Sequence, residues 1–210
     1  MPTTDPAPNP WVLPVVLTGR RVRLEPLSID HLDDLVRVGL DPSIWALTIA
    51  RPTDRDGIDA WLRAALTSAG SGTDVPFATI DLASGRAVGS TRFMSIVPDH
   101  RRLEIGWTWL GLDHQRTGLN REAKFLQLGH AFDVLGANRV EFKTDARNER
   151  SRAALLGIGA TFEGIFREHM IMPTGPLRDS AYYSVISAEW PNVRDRLQAA
   201  LDGPTGRHLR

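Results

Sequence analysis

Hydrophobic and polar positions along this chain switch between the two-residue period of strands and the 3.6-residue period of helices. Arg21–Leu27 alternates as a strand does, and Ser28 or Asp30 stands where it would cap a helix over about His31–Leu40. A helical period returns over about Asp56–Ser68, with Ile58, Trp61, Leu62 and Leu66 on one face, and Gly70, Ser71 and Gly72 end it. Three strand-like stretches follow, Pro76–Leu82, Ala87–Met94 and Arg102–Leu110, parted by a turn at 83–86 and a loop around Pro98–Arg101. They read as an antiparallel meander. Beyond them the pattern predicts a helix over about Leu119–Leu135, a strand at Arg139–Thr144, a helix over about Glu149–Leu156, and strands near Thr161–Met172 and Ala181–Ala188. A meander followed by alternating strands and helices predicts an α/β domain whose sheet is mixed in direction and mostly antiparallel.

Composition narrows the class. A chain of 210 residues, 42% hydrophobic and 24% charged, suits one compact domain, expected over residues 19–201. The first eighteen residues carry five prolines and read as a broken arm, with Trp11, Val12, Val15, Val16 and Leu17 available to lie over the domain. Residues 202–210 read as a loose tail. No apolar run approaches the ~20 residues of a membrane helix, and the arm lacks the charged and apolar regions of a signal peptide, so a cytoplasmic protein is expected. The absence of cysteine excludes disulfides, thiolate metal ligands and a cysteine nucleophile. The six histidines show no metal-ligand spacing and no G-x-S-x-G elbow occurs, so neither a metal nor a serine hydrolase triad is expected. A formal net charge of zero argues against a chain held to nucleic acid by a general basic field.

The chemistry concentrates where the third strand of the meander ends. Leu110–Lys124 (LGLDHQRTGLNREAK) runs from strand through a glycine-containing turn into an amphipathic helix. A helix that starts this way presents unpaired N–H groups and the positive end of its dipole to the turn, an anion site. Gly118 allows close approach to a phosphate, and Arg116 and Arg121 can add charge from the side. Glu104 is a second candidate: it lies within the preceding strand, where alternation places Glu104, Gly106 and Thr108 on one face and Ile105, Trp107 and Trp109 on the other. It is either an exposed residue near a sheet edge or a general base.

Gln115-Arg-Thr-Gly118-Leu-Asn120 resembles the Q/R-x-x-G-x-G/A signature with which GNAT acetyltransferases hold the pyrophosphate of acetyl-CoA, departing from it at Asn120. The likeness continues through Asn148-Glu-Arg-Ser151 and Gly159-Ala-Thr-Phe-Glu-Gly164 and spans about residues 19–188, in the manner of the branch that acetylates the N-termini of ribosomal proteins. It implies a GNAT fold of about seven strands and about four helices, with acetyl-CoA as cosubstrate and a primary amine as acceptor. It also implies a homodimer as a common quaternary state. By this resemblance Leu110, Leu112, Gln115, Arg116, Thr117, Gly118, Leu119 and Asn120 contact the cofactor, Asn148 holds the pantetheine arm, and Ser151 lies near the sulfur. Asn148 is equally suited to cap the helix that begins at Glu149. Many family members carry a tyrosine acid seven residues after this asparagine; Leu155 stands there, leaving Ser151 or a water to protonate the thiolate. Relatives also place an acidic residue at the position of Glu104, which makes it the candidate base. Glu168, His169 and Tyr182 are candidates for the acceptor site, or else a solvated strand pair and a packed tyrosine.

The acceptor expected is a protein N-terminal α-amine. Its pKa near 7.7–8.0 makes deprotonation at pH 7 cost about 1 kcal/mol, against about 4.6 kcal/mol for a lysine side chain. A small-molecule amine is the alternative, and a non-catalytic acyl-CoA-binding module the alternative of another class, suggested by Leu155 and Asn120.

Overall fold

A computed structural model describes residues 9–203; residues 1–8 of the expected arm and 204–210 of the expected tail lie outside the described residues. Among the described residues eight strands form one sheet: β1 (Leu17–Thr18), β2 (Val22–Pro26), β3 (Val75–Asp81), β4 (Arg86–Val97), β5 (Arg102–Leu110), β6 (Arg139–Asp145), β7 (Thr161–Ile171) and β8 (Leu177–Ile186). Their spatial order is β1-β2-β3-β4-β5-β6-β8-β7. Every neighbouring pair is antiparallel except β5 and β6, joined by a helical crossover. Six α-helices among the described residues flank the sheet: α1 (Leu32–Gly39), α2 (Pro42–Trp45), α3 (Arg55–Gly70), α4 (Leu119–Gly129, continued by a π-helical stretch, His130–Val134), α5 (Glu149–Gly157) and α6 (Trp190–Asp202). The α/β sheet of mixed direction matches expectation, with one strand and two helices more than anticipated.

The extra elements have local reasons. The two-residue β1 is too short to show a period, and α2 is a single turn capped by the Asp41 carboxylate, which accepts from Ser43 N at 2.9 Å. Pro191 reads as a breaker but sits in the first turn of α6, where its missing N–H costs nothing. Trp190, Val193 and Leu197 then anchor that helix against the sheet.

Two apolar clusters cover the sheet. The larger joins α4 and α6 to one face through Phe77, Phe93, Leu103, Ile105, Val140, Phe142 and Tyr183. Trp11, Val15 and Leu17 of the N-terminal segment pack on it, whereas Val16 is exposed. The smaller cluster seats α1 and α3 on the other face through Leu35, Ile58, Trp61, Leu62, Ile80 and Trp109. No residue of β6, β7 or β8 belongs to it. On that face those strands present Glu141, Lys143, Asp145, Ser180, Tyr182 and Ser184, paired across the β6–β8 ladder. These three of the eight strands thus form a polar floor outside the smaller helical layer, with Asp145, Ser180 and Ser184 themselves buried in it.

Strand β5 departs from simple alternation. Ser90 pairs with Trp109 and Arg92 with Gly106, so β5 carries one extra residue between these pairs, and Trp107 takes φ 50° there. The bulge reverses the faces beyond it: Ile105 enters the larger cluster, while Trp107 and Trp109 join the smaller. Ile105 therefore does not share a face with the two tryptophans, and Thr108 turns toward α4 instead of lying with Glu104.

A buried carboxylate ties α4 to the far edge of the sheet. Glu122, 4% exposed, accepts the backbone N–H groups of Arg20, Arg21 and Val22 at 2.7, 2.9 and 3.1 Å. It fills the donors of the β1–β2 turn and holds the first turn of α4 against it. Glu122→Ala strands those donors, and each buried unpaired group costs about 1–3 kcal/mol. A fall in unfolding free energy of roughly 2 kcal/mol or more is expected in urea titration; a fall under about 0.5 kcal/mol would show that water replaces the carboxylate at no loss.

Candidate active site

The parallel pair β5–β6 is ladder-bonded over only three positions, Arg102–Glu104 against Arg139–Glu141. Past Glu104 the two strands part. Ile105–Leu110 has β4 on one side and no strand on the other, and Phe142–Asp145 has β8 alone. The result is a wedge bordered by unpaired backbone groups, closed near Glu104 and open toward the C-terminal ends of both strands. Both crossover helices begin at its open end, α4 after β5 and α5 after β6.

At the first of these starts, Leu112–His114 forms a single 3-10 turn, Arg116 takes φ 63°, and Gly118 takes φ 93° as the residue preceding α4. A glycine there caps with no side chain, so the N–H groups of the first turn stay available. Gln115 braces the turn by donating Nε2–H to the Leu110 carbonyl at 2.9 Å, and Thr117 Oγ1 donates to the His114 carbonyl at 2.7 Å. Leu110 and Leu119 are buried beneath it, and Leu112 and Arg116 are exposed. The Asn120 amide oxygen is sealed from solvent without a partner. A Cβ built on Gly118 would stand 3.0 Å from Arg21 Nη1, which places a further guanidinium beside the turn.

At the second start, Asn148 Oδ1 accepts from Ser151 N at 3.0 Å, so the capping role is realised in this structure. Leu155 is buried in the larger cluster. Arg150 Nη1 donates to Gln115 Oε1 at 2.8 Å, linking α5 to the turn before α4.

A buried lysine lies between α4 and the bulged strand. Lys124 Nζ donates to Thr91 Oγ1 at 2.9 Å, Thr108 Oγ1 at 2.8 Å and Gln127 Oε1 at 2.8 Å. Burial pushes its ammonium down to about 7.

Glu104 is not an exposed edge residue. It is 4% exposed, at the last ladder position of β5–β6, with Lys143 Nζ 3.5 Å from its Oε2. Burial raises its pKa, an effect opposed by the Lys143 ammonium. Gly106 leaves room for it: a Cβ there would meet Met94 Sδ at 2.6 Å and Glu104 Oε1 at 3.1 Å. Lys143 also lies 6.0 Å from the ring centre of Tyr182. Tyr182 stacks on Phe166 with centroids 4.2 Å apart, its hydroxyl is 3.4 Å from His169 Nε2, and His169 Nδ1 is 3.1 Å from Ser180 Oγ. His169 and Tyr182 are thus brought together with the Lys143 partner of Glu104. Glu168 is exposed and makes no side-chain hydrogen bond among the described residues; its backbone N–H, at φ 49°, donates to Asp179 Oδ1 at 2.7 Å. With Phe166, Arg167, His169 and Asp179 it lines an open groove of about 690 Å³.

The family model for the acetyltransferase (GNAT) domain matches residues 21–161. This chain belongs to the GNAT acetyltransferase family. A GCN5-related N-acetyltransferase from Brucella melitensis is 35% identical, covers 97% of this chain and 90% of its own, and superposes with a TM-score of 0.85. A candidate acetyltransferase from T. thermophilus is 38% identical over 90% of this chain and 98% of its own, with a TM-score of 0.82. The Bacillus subtilis (strain 168) protein YdaF, named as a candidate ribosomal N-acetyltransferase, is 30% identical over 109 residues. That match spans 52% of this chain and 58% of YdaF.

In this GNAT domain, Trp45, Trp61 and Trp109 pack on one another with centroids 4.9–6.1 Å apart and are core, while Trp107 is half-buried under the Arg92 guanidinium at 4.6 Å. Lys124, Lys143, Arg150 and Arg21 were not candidates from sequence. Their only sequence signal is that both lysines of an otherwise arginine-based chain occur here. Among the described residues there is no cluster of three or more His, Asp or Glu able to hold a metal, and no helix long and apolar enough to cross a membrane.

Two outcomes follow from this geometry. Gly118→Val places a branched side chain at a left-handed φ and against Arg21; acetyl-CoA affinity by calorimetry should fall at least tenfold in the folded variant, and unchanged affinity would remove the anion site from this turn. For Lys124, an unfolded lysine titrates near 10.4, so between about pH 7 and 10 the unfolded chain binds more protons and stability from this group rises with pH. Lys124→Met should flatten that rise in urea midpoints measured at pH 7 and 9.5. A variant with the wild-type slope would show that Lys124 stays charged in the fold.

Proposed function

We propose that this GNAT domain transfers the acetyl group of acetyl-CoA directly to a protein N-terminal α-amine, in the cytoplasm. The observation that carries this reading is the wedge: an anion-accepting helix start stands at its mouth, and a buried carboxylate of raised pKa stands at its closed end. Acetyl-CoA would set its pyrophosphate on the N–H groups of Leu119–Arg121, with Arg21 and Arg116 alongside. Its pantetheine amides would take the place of a strand between β5 and β6, satisfying the unpaired edges. Asn148 retains its side-chain N–H donors after capping α5 and would offer them to the same arm.

The thioester would then lie near the β5 bulge, where free backbone N–H groups would stabilise the developing oxyanion. Glu104 would take the proton of the attacking ammonium, through water. The bond formed is N–C(acyl); the bond broken is C–S, and the thiolate leaves toward Ser151 or a water for its proton. With no cysteine in the chain, no acyl-cysteine intermediate can form. His169 and Tyr182 would border the incoming chain, and the open groove past Glu168 would take its following residues. The N-terminal acceptor is supported by the modest deprotonation cost of an α-amine, by an open groove lined by four consecutive residues of β7, and by the name that YdaF bears.

Incubation with acetyl-CoA and a panel of α-amine peptides, lysine peptides and small amines, followed by thiol release and mass detection, tests the reading. Turnover should be fastest on α-amine peptides, and preference for a small amine would contradict it. Glu104→Gln keeps shape but loses basicity. Because the wild-type carboxyl is protonated up to a raised pKa, the rate should climb with pH through that value; the variant should lose this acidic limb and about 10²–10⁴ in kcat with little change in acetyl-CoA KM. A loss under about threefold with the limb retained would make Glu104 structural.

A further inference from the structure

The polar floor beside Glu104 contains one charge that the fold leaves unmatched. Arg178 on β8 lies on the same strand face as Ser180 and Tyr182, opposite Met170 of β7, just beyond the end of the β6 ladder. It is 7% exposed. No hydrogen bond or ion pair reaches its guanidinium among the described residues, and its Nε is sealed from solvent with no partner. Burial weakens its hold on the proton; Asp145 and then Glu104 are the carboxylates whose charge opposes this. Each of them is already engaged by another cation. Asp145 accepts Arg147 N and Nε on Oδ1 at 2.9 and 3.0 Å and Arg147 Nη2 on Oδ2 at 2.8 Å, and Glu104 faces Lys143. Nearby Asp179 accepts the backbone N–H of Glu168.

A buried guanidinium without a carboxylate is costly, because desolvation is not repaid by an ion pair. On the floor over which a cationic amine must enter, it is also repulsive, unless the acceptor brings the missing anion. We infer that Arg178 is a specificity residue that binds a carboxylate on the amine acceptor, aided by Ser180 of β8 and by His169 beside it on β7. The inference rests on the proposed acetyl transfer to an α-amine. A single uncompensated cation matches a carboxylate monoanion better than a phosphate dianion. The span also selects: Ser184 is level with Glu104 through Glu141, and Arg178 stands six residues further along β8, so the two backbones lie roughly 20 Å apart and only their long side chains narrow the gap. The acceptor must therefore carry its carboxylate well away from its amine, as an acidic side chain at the second residue of a peptide does, whereas the α-carboxylate of a free amino acid lies too close to its amine.

The test uses the full chain, acetyl-CoA and three acceptors: Ser-Asp-Ala-Gly amide, Ser-Asn-Ala-Gly amide and free serine. A charge-assisted contact predicts kcat/KM roughly tenfold to a hundredfold higher for the Asp peptide than for the Asn peptide. In Arg178→Gln that ratio should fall to near one, and Arg178→Lys should restore part of it, with acetyl-CoA KM unmoved in both. Equal rates on the two peptides in the wild type, or a ratio that survives Arg178→Gln, overturn the inference while leaving N-terminal acetylation intact. Preference for free serine over the Asn peptide would uphold the carboxylate site and sink the peptide reading. If no acceptor turns over, the N-acetylated Asp and Asn peptides are compared by calorimetry on CoA-loaded wild-type protein: tighter binding of the Asp product supports the site, and equal binding overturns it.

Discussion

The parting of β5 from β6 after three ladder positions is the constraint on which the rest of the molecule depends. A central sheet does not leave backbone groups unpaired without a reason, since each buried unmatched group costs free energy. Here the separation is held from both sides. The bulge at Trp107 bends β5, and Thr108 is bonded to Lys124 of α4; β6 meanwhile is paired along its whole length to β8. Because β5 and β6 both run into helices at the open end, the parting also decides where two helix N-termini and their dipoles converge. A ligand with amides along its length and a phosphate at its end matches that arrangement, which is the physical content of membership in the GNAT family.

Buried charges then fix how the parts stand to one another. Glu122 fastens the start of α4 to the β1–β2 turn, Lys124 fastens its second turn to β4 and β5, and Arg150 ties α5 to Gln115. These contacts cross between elements far apart in sequence, so they set the width of the wedge more directly than apolar packing, which is not directional. On the opposite face of the sheet the charges serve another end: Glu104, Lys143 and Arg178 belong to a polar floor where the smaller helical layer stops.

Much of this was legible in the sequence, for identifiable reasons. The strands and turns of the meander and the amphipathic face of α4 are readable in the sequence, and the Gln115–Asn120 turn is a local motif whose geometry depends on Gly118 and the helix that follows. Asn148 illustrates the limit of local reading. Its cap is visible in the sequence and realised in the fold, but capping engages only the amide oxygen, so sequence alone could not separate the two roles assigned to it. The exchange of faces along β5 was not legible, because a bulge at a non-glycine residue leaves no compositional mark. Nor was α6, whose three anchors are spread over eight residues among charged neighbours. Lys124 and Arg178 look like ordinary surface residues in the sequence. Only the packing of α4 on β5, and of β8 between β6 and β7, buries them.

The most direct test of the central claim is amide hydrogen exchange with and without acetyl-CoA. If the wedge is the cofactor site, binding should slow exchange at the first turn of α4 (Leu119–Arg121) and along Ile105–Leu110 of β5, the backbone groups the fold leaves unpaired. The antiparallel β2–β4 region should be unchanged. Protection confined to any other part of the chain, or none at saturating acetyl-CoA, would contradict the account.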